Sequence, residues 1–334
     1  MTPTEKTQRI LITGGAGYIG SHITCLLKES GYHVIVFDNL STGNSWATSH
    51  TPLIRADILD ETRLYQALKS NKIQTVIHLA AKSSVPESFI QAKDYFKVNQ
   101  NGTEVVMRAC AKAGVQHLIF SSTAAVYGKG SHGLVCENSP LHPISPYGES
   151  KLAAEKIIEA FCPKHGIKHI IFRFFNVIGA HPDAIIGQYS PTSSHLLKHC
   201  LNSIQTNRTL DIYGNDYNTH DGTAERDYIH VQDLADLHLQ AMKHLTHHTD
   251  SMLLNAGYGQ SHSVLKFIRT FEQVTKKTLP YQYVARRHGD PSALIADVSL
   301  LQKTIDWSPQ YSSLETMIAS SYAWENSSTR RALA

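Results

Sequence analysis

Short apolar runs alternate with amphipathic stretches along the first half of the chain. The runs, bounded by polar and turn-forming residues, predict strands over 9–13, 33–37, 53–56, 75–79, 116–121 and 169–174. The stretches between them carry apolar residues at helical spacing and predict helices over 19–29, 60–70, 89–113 and 146–165. This alternation predicts an α/β architecture: a doubly wound parallel sheet covered by helices on both faces, with ligands at the carboxyl ends of its strands. Beyond residue 176 the regularity breaks. Segment 180–225 is rich in His, Asn, Thr, Asp and Gly, and reads as loops and short helices built around a polar ligand. The stretch 226–242 resumes a strand-to-helix pattern. The expected division is a larger domain of residues 1–176, with 226–245 returning to it, and a smaller mixed α/β domain made mainly of 177–225 and 246–330. The first eight residues read as a disordered tail.

Chemistry first shows where the first strand ends. Ile10 to Ile12 run into Gly14, Gly17 and Gly20, in the spacing G-x-x-G-x-x-G, and a helical pattern follows. Glycines there allow a tight turn, close approach of a pyrophosphate and close packing of helix on sheet. The helix N-terminus adds unpaired N–H groups and a partial positive charge. The second strand ends in Asp38, whose carboxylate suits an adenosine ribose and repels a 2′-phosphate, so NAD is favoured over NADP.

A second constellation lies in S-P-Y-G-E-S-K, after the run I-F-S-S-T-A-A-V-Y-G. Tyr147 and Lys151 stand four residues apart, which places them one turn apart on the same helix face. Ser145 and Pro146 fit the N-cap and first helical position. A fixed cation beside a phenol, whose unperturbed pKa is about 10, eases its deprotonation toward a working base near neutral pH. Such a pair taken alone is ordinary helix surface; the glycine turn gives it meaning.

Composition narrows the partners. A net charge of +3, with no basic run interleaved with aromatics, argues against a nucleic-acid surface. Cys25, Cys110, Cys136, Cys162 and Cys200 lack C-x-x-C spacing and read as thiols of a reducing compartment. No apolar run approaches the ~20 residues of a membrane span, and no signal-peptide pattern is present, so a cytoplasmic protein is expected. Among 20 histidines, His195 and His199 at i, i+4 and the H-L-T-H-H run at 244–248 have no companion carboxylate or cysteine at matching spacing; no metal is expected.

The sequence resembles the extended short-chain dehydrogenases/reductases, and within them the UDP-glucose (UDP-galactose) 4-epimerases. The resemblance spans nearly the whole chain: T-G-G-A-G-Y-I-G at 13–20, D-N-L at 38–40, A-D-I at 56–58, H-L-A-A at 78–81, S-S-T-A-A-V-Y-G at 121–128, Y-G-E-S-K at 147–151, R-F-F-N-V-I-G-A at 173–180, I-Y-G-N-D-Y at 212–217, D-G-T-A-E-R-D-Y-I-H-V at 221–231 and R-R-H-G-D at 286–290. It implies a Rossmann-like cofactor domain and transient NAD-dependent oxidation at sugar C4, after which the 4-keto sugar rotates and is reduced on its opposite face. Tyr147 would take the 4-hydroxyl proton, Lys151 would hold the nicotinamide ribose and lower the phenol's pKa, and Thr123 would bond the sugar 4-oxygen. Gly14, Gly17, Tyr18, Ile19, Gly20, Asp38, Asn39, Asp57, Ile58, Ala80, Ala81 and Ser122 fall at cofactor-binding positions. Asn176, His195, Leu196, Tyr213, Arg226, Arg287 and Asp290 fall at positions that hold the UDP moiety. The resemblance further implies a homodimer formed through helices 89–113 and 146–165.

Two departures qualify the match. Some epimerases carry lysine at the position of Ser83, whereas here Lys82 precedes it. Leu294 occupies a position where a bulky tyrosine restricts the family to UDP-hexoses and a small residue admits N-acetyl sugars, so partial acceptance of UDP-N-acetylglucosamine is expected. Rival readings are a 4,6-dehydratase, disfavoured because Ala124 and Ala125 follow Thr123 where an acid–base pair is needed, a UDP-uronic acid enzyme, and a non-catalytic NAD-binding regulator.

Overall fold

The computed structural model of the chain describes residues 8–48, 50–129, 133–189, 195–248, 250–287 and 290–333. Residues 1–7 of the expected tail lie outside these. Gln8 already belongs to the fold: it is buried, and its amide donates to Thr246 Oγ1 at 3.0 Å.

Seven parallel strands form the larger sheet, in the spatial order Met252–Ala256, Lys168–Phe174, His117–Thr123, Thr75–His78, Arg9–Thr13, His33–Asp38, Leu53–Arg55. The six predicted strands are present, with ends shifted by two residues at most. Their period-two alternation divides the core. Ile10 and Ile12 face a cluster containing Ile23, Leu27, Leu234 and Leu245 from helices Tyr18–Glu29 and Val231–His247. Leu11 faces the opposite cluster, with Val106, Met107, Ala154 and Ile158 from helices Gly102–Ala113 and Pro146–Phe161. Each fully buried aliphatic side chain contributes about 1.5–3 kcal/mol. The seventh strand lies beyond the expected return segment 226–245, so the sheet takes in more of the chain than the pattern predicts. M-L-L-N-A is a short apolar run with no signal of its partner, and only pairing with Lys168–Phe174 reveals it as an edge strand.

Two predicted helices are interrupted. The stretch expected over 89–113 opens earlier, at Val85, where the Ser84 side chain caps the Glu87 N–H. It breaks at Gln91, restarts at Ala92 and passes through a π turn, Phe96–Asn101, before Gly102–Ala113. π turns of this kind recur at functional sites. The stretch expected over 146–165 is α-helical to Phe161, then tightens into Pro163–His165, because Pro163 has no N–H to continue the ladder.

The smaller region assembles from distant segments. His262–Ser263, Glu225–Arg226, Ala293–Ala296 and Leu134–Val135 form one sheet, and Asn176–Ile178 pairs with Tyr228–His230. Helices Leu196–Thr206, Val264–Thr275 and Leu314–Asn326 share a core of Leu197, Leu201, Phe267, Phe271 and Met317. Asp227 ties the loop after Ala256 to the strand Ala293–Ala296: its carboxylate accepts N–H groups of Tyr258 at 3.1 Å, Gly259 at 2.8 Å and Ala296 at 3.2 Å. No described helix is long and apolar enough to cross a membrane.

Candidate active site

The strand order reverses between Arg9–Thr13 and Thr75–His78, and the glycine turn sits at the carboxyl end of that switch. Gly14 has φ +72°, and a Cβ there would lie 2.6 Å from the Ala80 nitrogen. A Cβ on Gly20 would lie 2.2 Å from the Gly14 carbonyl oxygen. Neither position accepts a side chain. Gly17 is the N-cap of Tyr18–Glu29 and leaves the helix without a side-chain cap, so its first N–H groups point at the crevice.

Asp38 closes the second strand. Its carboxylate accepts the Ala16 N–H at 3.0 Å and the Leu40 N–H at 2.8 Å, while burial lifts its pKa above the usual carboxylate range. Leu40 is thereby held in the left-handed region, at φ 61°. Asn39 donates to Asp57 at 2.8 Å, which joins the ends of strands His33–Asp38 and Leu53–Arg55. This cradle, with its bare helix end and acidic ribose position, fits a dinucleotide.

Several cofactor-side residues offer backbone rather than side chain. Ile58 and Ile19 pack into the core clusters, and Ala80 and Ala81 are half-buried. The Tyr18 hydroxyl donates to the Gly179 carbonyl at 2.6 Å and so braces the loop after Asn176–Ile178. The Ser122 hydroxyl is bonded to Glu155, because successive residues of His117–Thr123 point to opposite faces of the sheet, which leaves its backbone toward the cofactor crevice.

Tyr147 and Lys151 lie on Pro146–Phe161 as predicted, capped by Ser145 Oγ, which accepts the Gly148 N–H at 3.1 Å. Substituting such a cap costs about 1 kcal/mol. Thr123 ends the adjacent strand and hydrogen-bonds the Tyr147 phenol, a contact that lowers the phenol's pKa. Burial outweighs it, so without the cofactor the phenol titrates above its ordinary value. Lys151 is itself buried, its ammonium 4.1 Å from the centre of the Phe120 ring. Burial lowers its pKa to about 7, against the opposing charge of Glu155.

Behind these residues runs a buried hydrogen-bond chain. The Ala80 N–H reaches Thr13 Oγ1 at 3.4 Å, Thr13 meets His78 Nδ1 at 2.7 Å, and His78 Nε2 meets Thr103 Oγ1 at 3.1 Å. Thr103 donates to the Asn99 carbonyl at 2.6 Å. That leaves Thr103 as acceptor from His78, so Nε2 carries the proton and Nδ1 accepts from Thr13. Burial and the nearby Lys151 charge push the His78 pKa down to about 3, so the ring is neutral. The Asn99 amide donates to the Lys82 carbonyl and to Ser150 Oγ, both at 3.0 Å, and Ser150 donates to the Tyr147 carbonyl at 2.8 Å. Asn99 therefore positions both the loop after Thr75–His78 and the catalytic helix. Sequence reading missed it; its one signal is the N-x-N-G run at the π turn. A second network, Glu155 with Arg173 at 2.8 Å and Arg173 with Tyr127 at 3.0 Å, was also unread.

The residues expected to hold the sugar nucleotide lie in the smaller region and the loops around its strands. Arg226 pairs with Asp290 at 2.5 Å, and the Arg287 guanidinium lies 4.4 Å from the Tyr213 ring centre. Asn176 is exposed, and its N–H donates to the carbonyl of Asp227, next to Arg226. His195 caps the helix Leu196–Thr206 in extended conformation, and Leu196 packs against that region's core. Leu294 sits beside Arg226 in register and packs against the cluster containing Ala124, next to Thr123. Lys82 Nζ turns to Gln91 at 2.8 Å and Glu87 at 3.3 Å.

Residues 10–257 match the NAD dependent epimerase/dehydratase family. A UDP-glucose 4-epimerase of Azospirillum brasilense is 39% identical over 326 residues, covering 97% of this chain and 94% of that protein. The crystal structure of UDP-glucose-4-epimerase from Stenotrophomonas maltophila, with bound NAD and formylated UDP-arabinopyranose, superposes with a TM-score of 0.93 at 35% identity, covering 97% of this chain and 99% of that one. The UDP-Glc/GlcNAc 4-epimerase from Campylobacter jejuni gives a TM-score of 0.84 at 37% identity, covering 95% and 99%. The chain belongs to the NAD dependent epimerase/dehydratase family, in its group of UDP-glucose 4-epimerases.

Proposed function

We propose that the chain interconverts UDP-glucose and UDP-galactose by reversible, NAD-dependent oxidation at sugar C4. The observation that carries this reading is that Tyr147 and Lys151 stand one turn apart on the helix Pro146–Phe161, with Thr123 bonded to the Tyr147 phenol, while the glycine turn sits at the switch point of the same sheet. Gly14, Gly17 and Gly20 would hold the cofactor's pyrophosphate, Asp38 its adenosine ribose and Lys151 its nicotinamide ribose. NAD, when bound, supplies the hydride acceptor and donor. Tyr147 moves the proton of the 4-hydroxyl, with Thr123 bonded to the same phenol and able to donate and accept at once. Because burial raises the Tyr147 pKa, the phenol becomes a working base only beside added positive charge. Lys151 and the oxidised cofactor together bring that charge. Arg226 and Arg287 supply guanidinium forks for the diphosphate, Asp290 the uridine ribose contact, and Tyr213 an aromatic face near the base.

The reading is tested by separate incubation with UDP-galactose and UDP-N-acetylgalactosamine and chromatographic separation of the products; conversion of neither overturns it. Leu294 is smaller than tyrosine and borders Ala124, which supports acceptance of an N-acetyl substituent, as does similarity to a relative named for both substrates. Leu294→Tyr should lower turnover of the N-acetyl substrate at least tenfold relative to UDP-galactose, on the order of 1.4 kcal/mol. Equal loss on both substrates removes Leu294 as the gate. The same reading includes a cytoplasmic homodimer through Gly102–Ala113 and Pro146–Phe161, and light scattering that shows a monomer at micromolar concentration overturns that part.

A further inference from the structure

We propose that Cys25, Glu29 and His181 form a site for a borderline divalent cation of the zinc type, outside the cofactor and substrate sites. Cys25 and Glu29 stand at i, i+4 on one face of Tyr18–Glu29, and His181 reaches them from the loop after Asn176–Ile178. One ligand atom from each of the three lies within 4.8 Å of the other two, and the Cys25 thiol donates to Glu29 Oε1 at 3.2 Å. Bonds of about 2.0–2.3 Å place the ligand atoms of a tetrahedral zinc ion roughly 3.3–3.8 Å apart, so no pair has to close by more than about 1.5 Å. Cys25 and His181 are buried and Glu29 is exposed, so the loop carrying His181 and the Glu29 side chain make that adjustment.

The surroundings suit an ion. The Tyr18–Gly179 hydrogen bond already holds this loop on the helix. The Asp183 N–H donates to His181 Nδ1 at 3.2 Å, which puts the proton of the neutral ring on Nε2, and the Asp183 carboxylate lies 3.9 Å from Nδ1. Metal on Nε2 requires the ring proton to shift to Nδ1, which gives up the Asp183 N–H and turns to the exposed Asp183 carboxylate, the pairing that orients metal-bound imidazoles. Binding displaces the thiol proton to solvent and leaves thiolate, neutral imidazole and carboxylate as ligands, with water in the fourth position. A thiolate–imidazole–carboxylate set selects zinc-like ions over magnesium or calcium. The ion would pin the helix that faces the cofactor phosphates to the loop leading from Asn176. Sequence spacing hides the trio, since His181 lies far from the helix in the chain.

The test is a cobalt(II) titration of the holoenzyme near pH 7, read as a difference absorption spectrum against metal-free protein. One cobalt per chain with a thiolate-to-metal charge-transfer band is expected, displaced by zinc and lost in Cys25→Ser. Asp183→Asn, at an exposed position, should weaken affinity about 10–100-fold. Should Cys25→Ser fail to fold, Glu29→Gln carries the test, because its side chain is exposed. The proposal is overturned by absence of the band, by its survival in Cys25→Ser, or by unchanged affinity in Glu29→Gln.

Discussion

The side of the site around Tyr147 and the side around Arg226 are held in different ways. Around Tyr147 the polar groups are buried and matched in a chain from Ala80 through His78 and Asn99 to Ser150, with Glu155 and Arg173 locked together at the helix's far side. Across from it, Arg226 and Asp290 are bonded to each other at a half-exposed edge, and Arg287 and Tyr213 are exposed and stacked. A chemical step needs groups placed before the substrate arrives, and buried, satisfied networks provide that rigidity. Under the proposed function, a diphosphate bound by Arg226 would exchange one set of charge-assisted contacts for another, with Asp290 releasing Arg226 or sharing it. The catalytic groups are pre-set and the recognition groups are exchangeable.

The largest effect expected from breaking the comparison is at the reacting atoms. Tyr147→Phe should cut turnover about 10²–10⁴-fold with little change in KM, because it removes only the proton-transfer group. Steady-state rates on UDP-galactose decide it, and near-normal turnover removes Tyr147 from the chemistry.

Next in size is a matched pair of substitutions. Glu155→Gln strands the buried Arg173 charge and should lower unfolding stability by about 3–5 kcal/mol, seen as a shifted urea midpoint. Asp290→Asn removes a partner from the half-exposed pair. It should change stability by no more than about 1 kcal/mol, and its effect should appear in KM. Equal stability losses would erase the contrast between the two sides.

Acid should separate them further. Burial lowers the pKa of His78 and His230 to about 3 and of His22, His117 and His238 to about 4. Unfolded histidine titrates near 6.5, so from about pH 6.5 downward the unfolded chain binds more protons and stability falls, levelling off below the folded values. These rings lie in the larger sheet and in or next to its covering helices, so stability should drop by several kcal/mol, on the order of one pKa unit's 1.36 kcal/mol or more per ring. Urea unfolding at pH 7 and pH 5 measures it, and an unchanged midpoint contradicts the burial of these rings.

The contrast also marks what the sequence could reveal. Gly14 to Gly20, Asp38, Tyr147 and Lys151 are legible because their chemistry depends on local spacing: a turn after a strand, an acid at a strand end, two residues one helical turn apart. Asn99 was not, because its role arises from a π turn and from partners at Lys82 and Ser150 that only tertiary packing brings together. The bonding of Ser122 to Glu155 follows from which face of the sheet the serine takes. The strand Met252–Ala256 was lost for the same reason: sheet order is a long-range fact, while strand pattern is local.

The smallest effect expected is at Lys82, in the loop after Thr75–His78. Its backbone belongs to the preset network, with its N–H on Asn99 Oδ1 at 2.8 Å, but its ammonium is spent on Gln91 and Glu87 at the surface. Partly exposed pairs of this kind contribute about 0–1 kcal/mol. Lys82→Ala keeps the backbone contacts, so cofactor retention through gel filtration and turnover should both stay within about twofold of the parent. A protein that loses NAD on substitution would show that the side chain swings from Glu87 to the pyrophosphate when the cofactor binds. Lys82 would then join the exchangeable class, as the one cofactor-side group that behaves like Arg226.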